Sequence, residues 1–167
     1  MFSMITGAFV LALLKLVAGS TQTPNATYCS GNSEDVITMK DLTIYNAAIG
    51  EEMSFEYTLE VSREVDDDPL ALFSMTAEGG GVPCYENIGS CIYSLCHGTT
   101  EVEKRMGAPW NNTCPIPAGS YYTYLNLTIP ADAKLFLKGP YLQIKVEYVD
   151  SEDDLGCIKF NVVLEEA

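Results

Sequence analysis

The chain has 167 residues, with 9 Lys and Arg against 23 Asp and Glu, for a formal net charge of −14. A charge of that sign and size excludes a nucleic-acid binder, which needs a cationic face for the phosphates, and opposes loose adsorption to anionic membranes at neutral pH. In an acidic compartment, protonation of carboxylates near about pH 4 to 5 would relieve part of that repulsion.

Residues Met4 to Leu14 form an apolar run, followed by the small residues Ala18, Gly19 and Ser20. The run is shorter than the roughly 20 residues that cross a bilayer. Residues 1–19 therefore read as a secretion signal cleaved near Gly19 or Ser20. A short membrane anchor is the competing reading, because no Lys or Arg precedes the run and Lys15 sits late in it. Cleavage would remove Lys15 and take the charge from −14 to −14 − 1 = −15. Residues 20–167 then make one domain, secreted or endolysosomal, and long enough to bury a core without its cysteines.

From there the periodicity is mostly two, which predicts strands. Strands are expected over 36–45 and 69–77. Met53, Phe55, Tyr57, Leu59 and Val61 alternate with polar neighbours. The triplet Gly79-Gly-Gly81 reads as a flexible turn, and Thr100 to Met106 as a helical turn or two. Over 121–129 a parity argument applies: a glycan on Asn126 must face solvent, so Tyr122, Tyr124 and Thr128 share its face, while Tyr121, Thr123, Leu125, Leu127 and Ile129 point inward. Leu142, Ile144, Val146 and Tyr148, then Ile158, Phe160, Val162 and Leu164, alternate across a polar turn over 150–156, which makes a C-terminal hairpin. Three N-x-S/T triplets begin at Asn25, Asn111 and Asn126 and mark candidate glycosylation sites on an exported chain.

Short strands in this number predict an all-β fold, an antiparallel two-sheet sandwich. The immunoglobulin pin is missing, because the single Trp110 lies between Cys96 and Cys114 and not on a core strand. Sheets without that pin can splay around an apolar cavity. The candidate lining is Phe55, Tyr57, Leu59, Tyr121, Leu125, Leu127, Leu142, Ile144, Val146, Tyr148, Ile158, Phe160 and Val162. Composition leaves two alternatives: these side chains close on a ligand, or they close on each other in an extracellular protein-interaction module. The six cysteines, Cys29, Cys84, Cys91, Cys96, Cys114 and Cys157, read as a disulfide framework with fifteen arithmetical pairings.

Several segments resemble the ML (lipid-recognition) domain superfamily, nearest to the ganglioside activator of lysosomes. They are Val82-Pro-Cys-Tyr-Glu-Asn-Ile-Gly-Ser-Cys91, Cys96, Cys114-Pro-Ile-Pro-Ala-Gly-Ser-Tyr121 and Leu155-Gly-Cys-Ile-Lys159. The resemblance implies the pairs Cys29–Cys157, Cys84–Cys91 and Cys96–Cys114. The first closes a loop worth on the order of 5 kcal/mol in the chain-entropy model. The activator carries a fourth bridge within the region matching 96–114, which this chain lacks. The resemblance further implies an immunoglobulin-like β-cup and a monomer that is not an enzyme and holds no cofactor. Its partners are a lipid (glycolipid, phospholipid or sterol), a transient membrane surface and, as in the activator, a glycosidase.

The rim of such a cup falls on Lys134, Leu135, Phe136, Leu137 and Lys138. Bare apolar side chains between two lysines suit insertion into a membrane interface, with the lysine stems reaching headgroups. The plainer reading packs one or two of them onto the domain's own core. Other constellations are weak. The runs Asp66-Asp-Asp68 and Glu152-Asp-Asp154 lack the spacing of a Ca²⁺ loop and read as solvated turns. His97 is the only histidine, and Ser90 and Ser94 near it sit beside expected disulfides, so no catalytic or metal residue is assigned.

Overall fold

A computed structural model describes residues 20–29, 35–151 and 153–165. The expected signal and Glu152 lie outside the described residues. Two antiparallel sheets face each other. The first has the order β1-β3-β4-β8, built from β1 (Thr21–Gln22), β3 (Ile37–Tyr45), β4 (Glu52–Val61) and β8 (Gly119–Thr128). The second has the order β2-β10-β9-β5-β6, built from β2 (Thr27–Tyr28), β10 (Asp154–Val163), β9 (Tyr141–Val149), β5 (Leu70–Ala77) and β6 (Gly80–Gly81). A short β7 (Ile92–Ser94) also pairs with β5. Among the described residues, no helix is long and apolar enough to cross a membrane.

The period-two segments become the central strands because each can bury one face and wet the other. β4 and β8 pair without a slip from Glu52↔Thr128 to Val61↔Gly119. Thr123, Leu125 and Ile129 are buried, while Tyr122, Tyr124 and Thr128 are exposed. Two details depart from simple alternation. β3 bulges between Lys40 and Thr43, with Asp41 at φ 53°, and the extra residue lets Met39 and Leu42 both point inward. The polar turn of the C-terminal hairpin is shorter than expected: Asp153 N donates to Asp150 Oδ1 at 2.7 Å, and β10 already runs from Asp154.

The two ends of the sandwich differ. At one end the sheets converge. A Cβ on Gly156 would stand 2.1 Å from Ile37 O, so β10 and β3 meet there only because residue 156 has no side chain. Ile37, Leu59, Val65, Val146, Tyr148, Leu155 and Ile158 fill this end solidly. The gap between the edges of β5 and β8 is closed by α1 (Glu101–Gly107), which packs on β8 and β7. Thr100 starts the helix with a capping box: its hydroxyl accepts from Glu103 N, and the Glu103 carboxylate returns to Thr100 N. Trp110 follows in a 3₁₀ turn and is buried, its Nε1 donating to Leu95 O at 2.7 Å and its ring edge-on to Tyr121 at 5.4 Å.

The disulfides are Cys29–Cys157, Cys84–Cys91 and Cys96–Cys114, with Cα separations of 5.4, 4.8 and 5.5 Å. The first ties two neighbouring strands of one sheet. The last joins the β7 side of the second sheet to the segment entering β8 of the first.

Candidate functional site

Away from the converging end, the sheets hold an apolar seam. Phe55, Tyr57, Leu125 and Leu127 line it from the first sheet, and Leu142, Ile144, Phe160 and Val162 from the second. Five other expected lining residues are elsewhere. Leu59, Val146, Tyr148 and Ile158 are buried in the core but outside the lining, although Leu59 and Val146 stand directly opposite Met39 and Phe73, which are in it. Tyr121 is half-buried outside it, against Trp110, with its hydroxyl donating to Pro117 O at 2.8 Å. Strand parity assigned the correct face but carries no information about which end of the sandwich stays open.

Met53 and Ile129, at strand ends, extend the alternating faces into the lining, and the rest comes from residues that alternation alone does not single out. Met39 and Leu42 arrive through the bulge. Phe73 and Met75 project from β5, Val102 and Met106 from α1, Tyr93 from β7, and Ile88 from the Cys84–Cys91 loop. Phe73 and Tyr93 meet edge-on at 5.2 Å. Met39, Met53, Met75 and Met106 are all the methionines of residues 20–167, and all four line the seam. That concentration was a usable signal, because Met is the side chain that best adapts to irregular apolar space.

Among the described residues no carboxylate or ammonium lines the seam. Burial pushes the Tyr93 phenol up to about 12, with Glu103 adding to the shift, and burial also raises Tyr57. The lining is therefore neutral across the physiological range. The space open to the centre of a water molecule is about 30 Å³, enough for about two waters at roughly 10–15 Å³ each. The seam is thus closed on itself and must part to take a chain of any length.

The ML domain family model matches residues 24–164. The chain belongs to the ML domain family. It therefore carries a domain of a lipid-binding class. Among solved structures, a Niemann-Pick type C2 protein from Japanese carpenter ant is 12% identical, with 88% of this chain and 92% of that one covered at a TM-score of 0.45. The C-terminal domain of wzt is 7% identical, with 86% and 79% covered at 0.46. No curated protein matches in sequence.

The rim of this ML domain is divided. A 3₁₀ turn, Ala131–Leu135, precedes the segment, and its geometry sends successive side chains in different directions. Leu135 is 77% exposed, Phe136 is half-buried edge-on to Tyr85 at 5.6 Å, and Leu137 is buried with its side chain in the seam. The expectation of three bare apolar residues is corrected accordingly: one is bare. Lys134 and Lys138 are exposed. The segment is held to its surroundings by Tyr85 Oη donating to Asp132 Oδ2 at 2.7 Å and by Glu78 N donating to Lys138 O at 3.1 Å.

The other sequence candidates stand apart from the seam. His97 is exposed, and its backbone N donates to Asn112 O. Ser90 Oγ accepts from Met75 N at 3.0 Å. Among the described residues no cluster of acidic, His or Cys side chains is arranged to hold a metal. Asn25 and Asn111 are exposed, and Asn126 is half-buried on the outer face of β8.

Proposed function

We propose that residues 20–167, after loss of a signal at 1–19, form a monomeric, secreted or endolysosomal lipid carrier without catalytic activity of its own. A lipid tail enters between the sheets beneath Leu137, and the headgroup of a glycolipid, phospholipid or sterol stays at the rim. Leu135 and the two rim lysines touch the bilayer during exchange. The observation that supports this best is the seam: a neutral, wholly apolar lining with four methionines, in a sandwich whose other end is solidly packed. Unbranched, polarizable methionines can re-pack around an entering chain.

Opening has a mechanical basis. At the converging end the sheets meet at Gly156 and Ile37, and Cys96–Cys114 ties them on the α1 side. Leu137 is held at the rim by non-covalent contacts. Tail burial would then replace the lost contacts of the lining at about 25 cal/mol per Å² of apolar surface.

Presentation of the lifted headgroup to a glycosidase, as by the ganglioside activator, is the narrower form of this role; it would depend on the 96–114 region, where this chain lacks the activator's fourth bridge. The test is transfer of a fluorescent glycolipid from donor to acceptor vesicles. Accelerated transfer at catalytic amounts of protein is expected, and transfer no faster than without protein would reject the carrier reading.

A further inference from the structure

The outer face of the first sheet carries an aromatic patch unrelated to the seam. Tyr122 and Tyr124 are 61% and 47% exposed on β8, and Tyr45 on β3 donates to Glu56 Oε2 at 3.2 Å. Rings exposed together on one sheet face offer an apolar surface that a ligand or a covalent group can cover. Asn126 sits on the same face, two residues beyond Tyr124 and directly opposite Ser54. Its amide is oriented by its neighbours: Ser54 Oγ donates to Asn126 Oδ1 at 2.7 Å, and Asn126 Nδ2 donates to Glu52 Oε1 at 3.3 Å. Ser54 has one hydroxyl proton and gives it to Asn126, so Tyr124 Oη is the donor in its 3.2 Å bond to Ser54 Oγ. The tyrosine, the serine and the asparagine are thus one connected array.

We propose that Asn126 carries an N-glycan whose inner sugars lie back over Tyr124 and Tyr122 and cover this face. An N-linked asparagine keeps its carbonyl oxygen and one N–H, so the bond accepted from Ser54 survives modification and the amide still has a proton to donate. The exposed rings offer apolar faces to the C–H faces of the sugars, and Thr128 completes the N-x-T triplet from an exposed position on the same strand. The donor is a lipid-diphosphate-linked oligosaccharide. A bond forms from Nδ2 to the anomeric carbon, the bond from that carbon to the diphosphate oxygen breaks, and one amide proton leaves as the diphosphate departs.

The inference rests on export of the chain. The experiment therefore uses the full chain secreted from eukaryotic cells, with peptide mapping of residues 1–19 and of Asn126. Nitration of tyrosines by tetranitromethane is then compared between wild type and Thr128→Val, which removes the triplet and leaves Asn126 and its bonds in place. Thr128→Ala and wild type treated with an N-glycosidase provide second comparisons if that variant folds poorly. Occupied Asn126 and several-fold slower nitration of Tyr122 and Tyr124 in the glycosylated form are expected, with exposed Tyr141 of the other sheet as an unchanged reference. A secreted chain with bare Asn126, or equal nitration with and without the glycan, overturns this proposal alone. A chain that keeps residues 1–19 and never leaves the cell overturns the export reading and this proposal with it.

Discussion

Gly89 shows at the level of one residue why a short motif is diagnostic. It lies at φ 106°, and a Cβ there would stand 1.9 Å from Pro83 O. Only glycine fits without moving the backbone of the Cys84–Cys91 loop. Gly89→Ala is expected to cost about 1–3 kcal/mol through backbone strain and to lower the yield of correctly paired protein. Thermal unfolding and disulfide mapping check both. Glu103 is a second such residue. Burial alone would push its carboxyl up, but donors from Ser94 N at 3.0 Å, Thr100 N and Thr99 N at 2.9 Å and the Thr100 hydroxyl outweigh that and hold it below the usual range. A depressed carboxyl stabilises the fold above its unfolded pKa, and that contribution is lost as the pH falls through the folded pKa. Glu103→Gln should therefore be less stable than wild type at pH 7, with the deficit shrinking toward acid. Denaturation at several pH values reads this directly, and a deficit independent of pH would mean that packing and not charge is at stake. Thr100→Ala removes the other half of the box and is expected to cost about 1 kcal/mol at the helix start.

At the level of elements, the sequence disclosed strands far better than it disclosed the site. Alternation located β4, β8, β9 and β10 and assigned their inward faces, since a sheet with one wet face leaves a period-two record. Three things left no such record. The bulge that aims Leu42 inward depends on Asp41 adopting a left-handed conformation, which no pattern of apolar residues announces. The rim segment shows three consecutive apolar residues, and only its 3₁₀ geometry separates exposed Leu135 from buried Leu137. Val102 and Met106 lie four residues apart on a helix too short for periodicity to stand out. The rim also carries a functional prediction. Leu135→Ser, at the bare position of the rim, should slow vesicle-to-vesicle transfer several-fold while circular dichroism stays unchanged. Transfer at the wild-type rate would remove this segment from the exchange path.

For the whole molecule, the governing fact is an asymmetry between ends. At one end Tyr148 and Leu59 are almost wholly buried, and the other holds a seam with room for about two water molecules. Interiors normally pack as densely as organic crystals. A seam lined by adaptable methionines and bordered by a non-covalently held rim is the part of such an interior most able to part. Whether lipid occupies that seam therefore decides the function. Native mass spectrometry of the secreted protein, followed by organic extraction and lipid analysis, tests it most directly. The account predicts a mass increment that matches one lipid, is lost on denaturation and is regained from liposomes. A bare polypeptide mass, carrying covalent modifications only and showing no uptake from liposomes, would contradict it and leave the sandwich as a closed-core interaction domain.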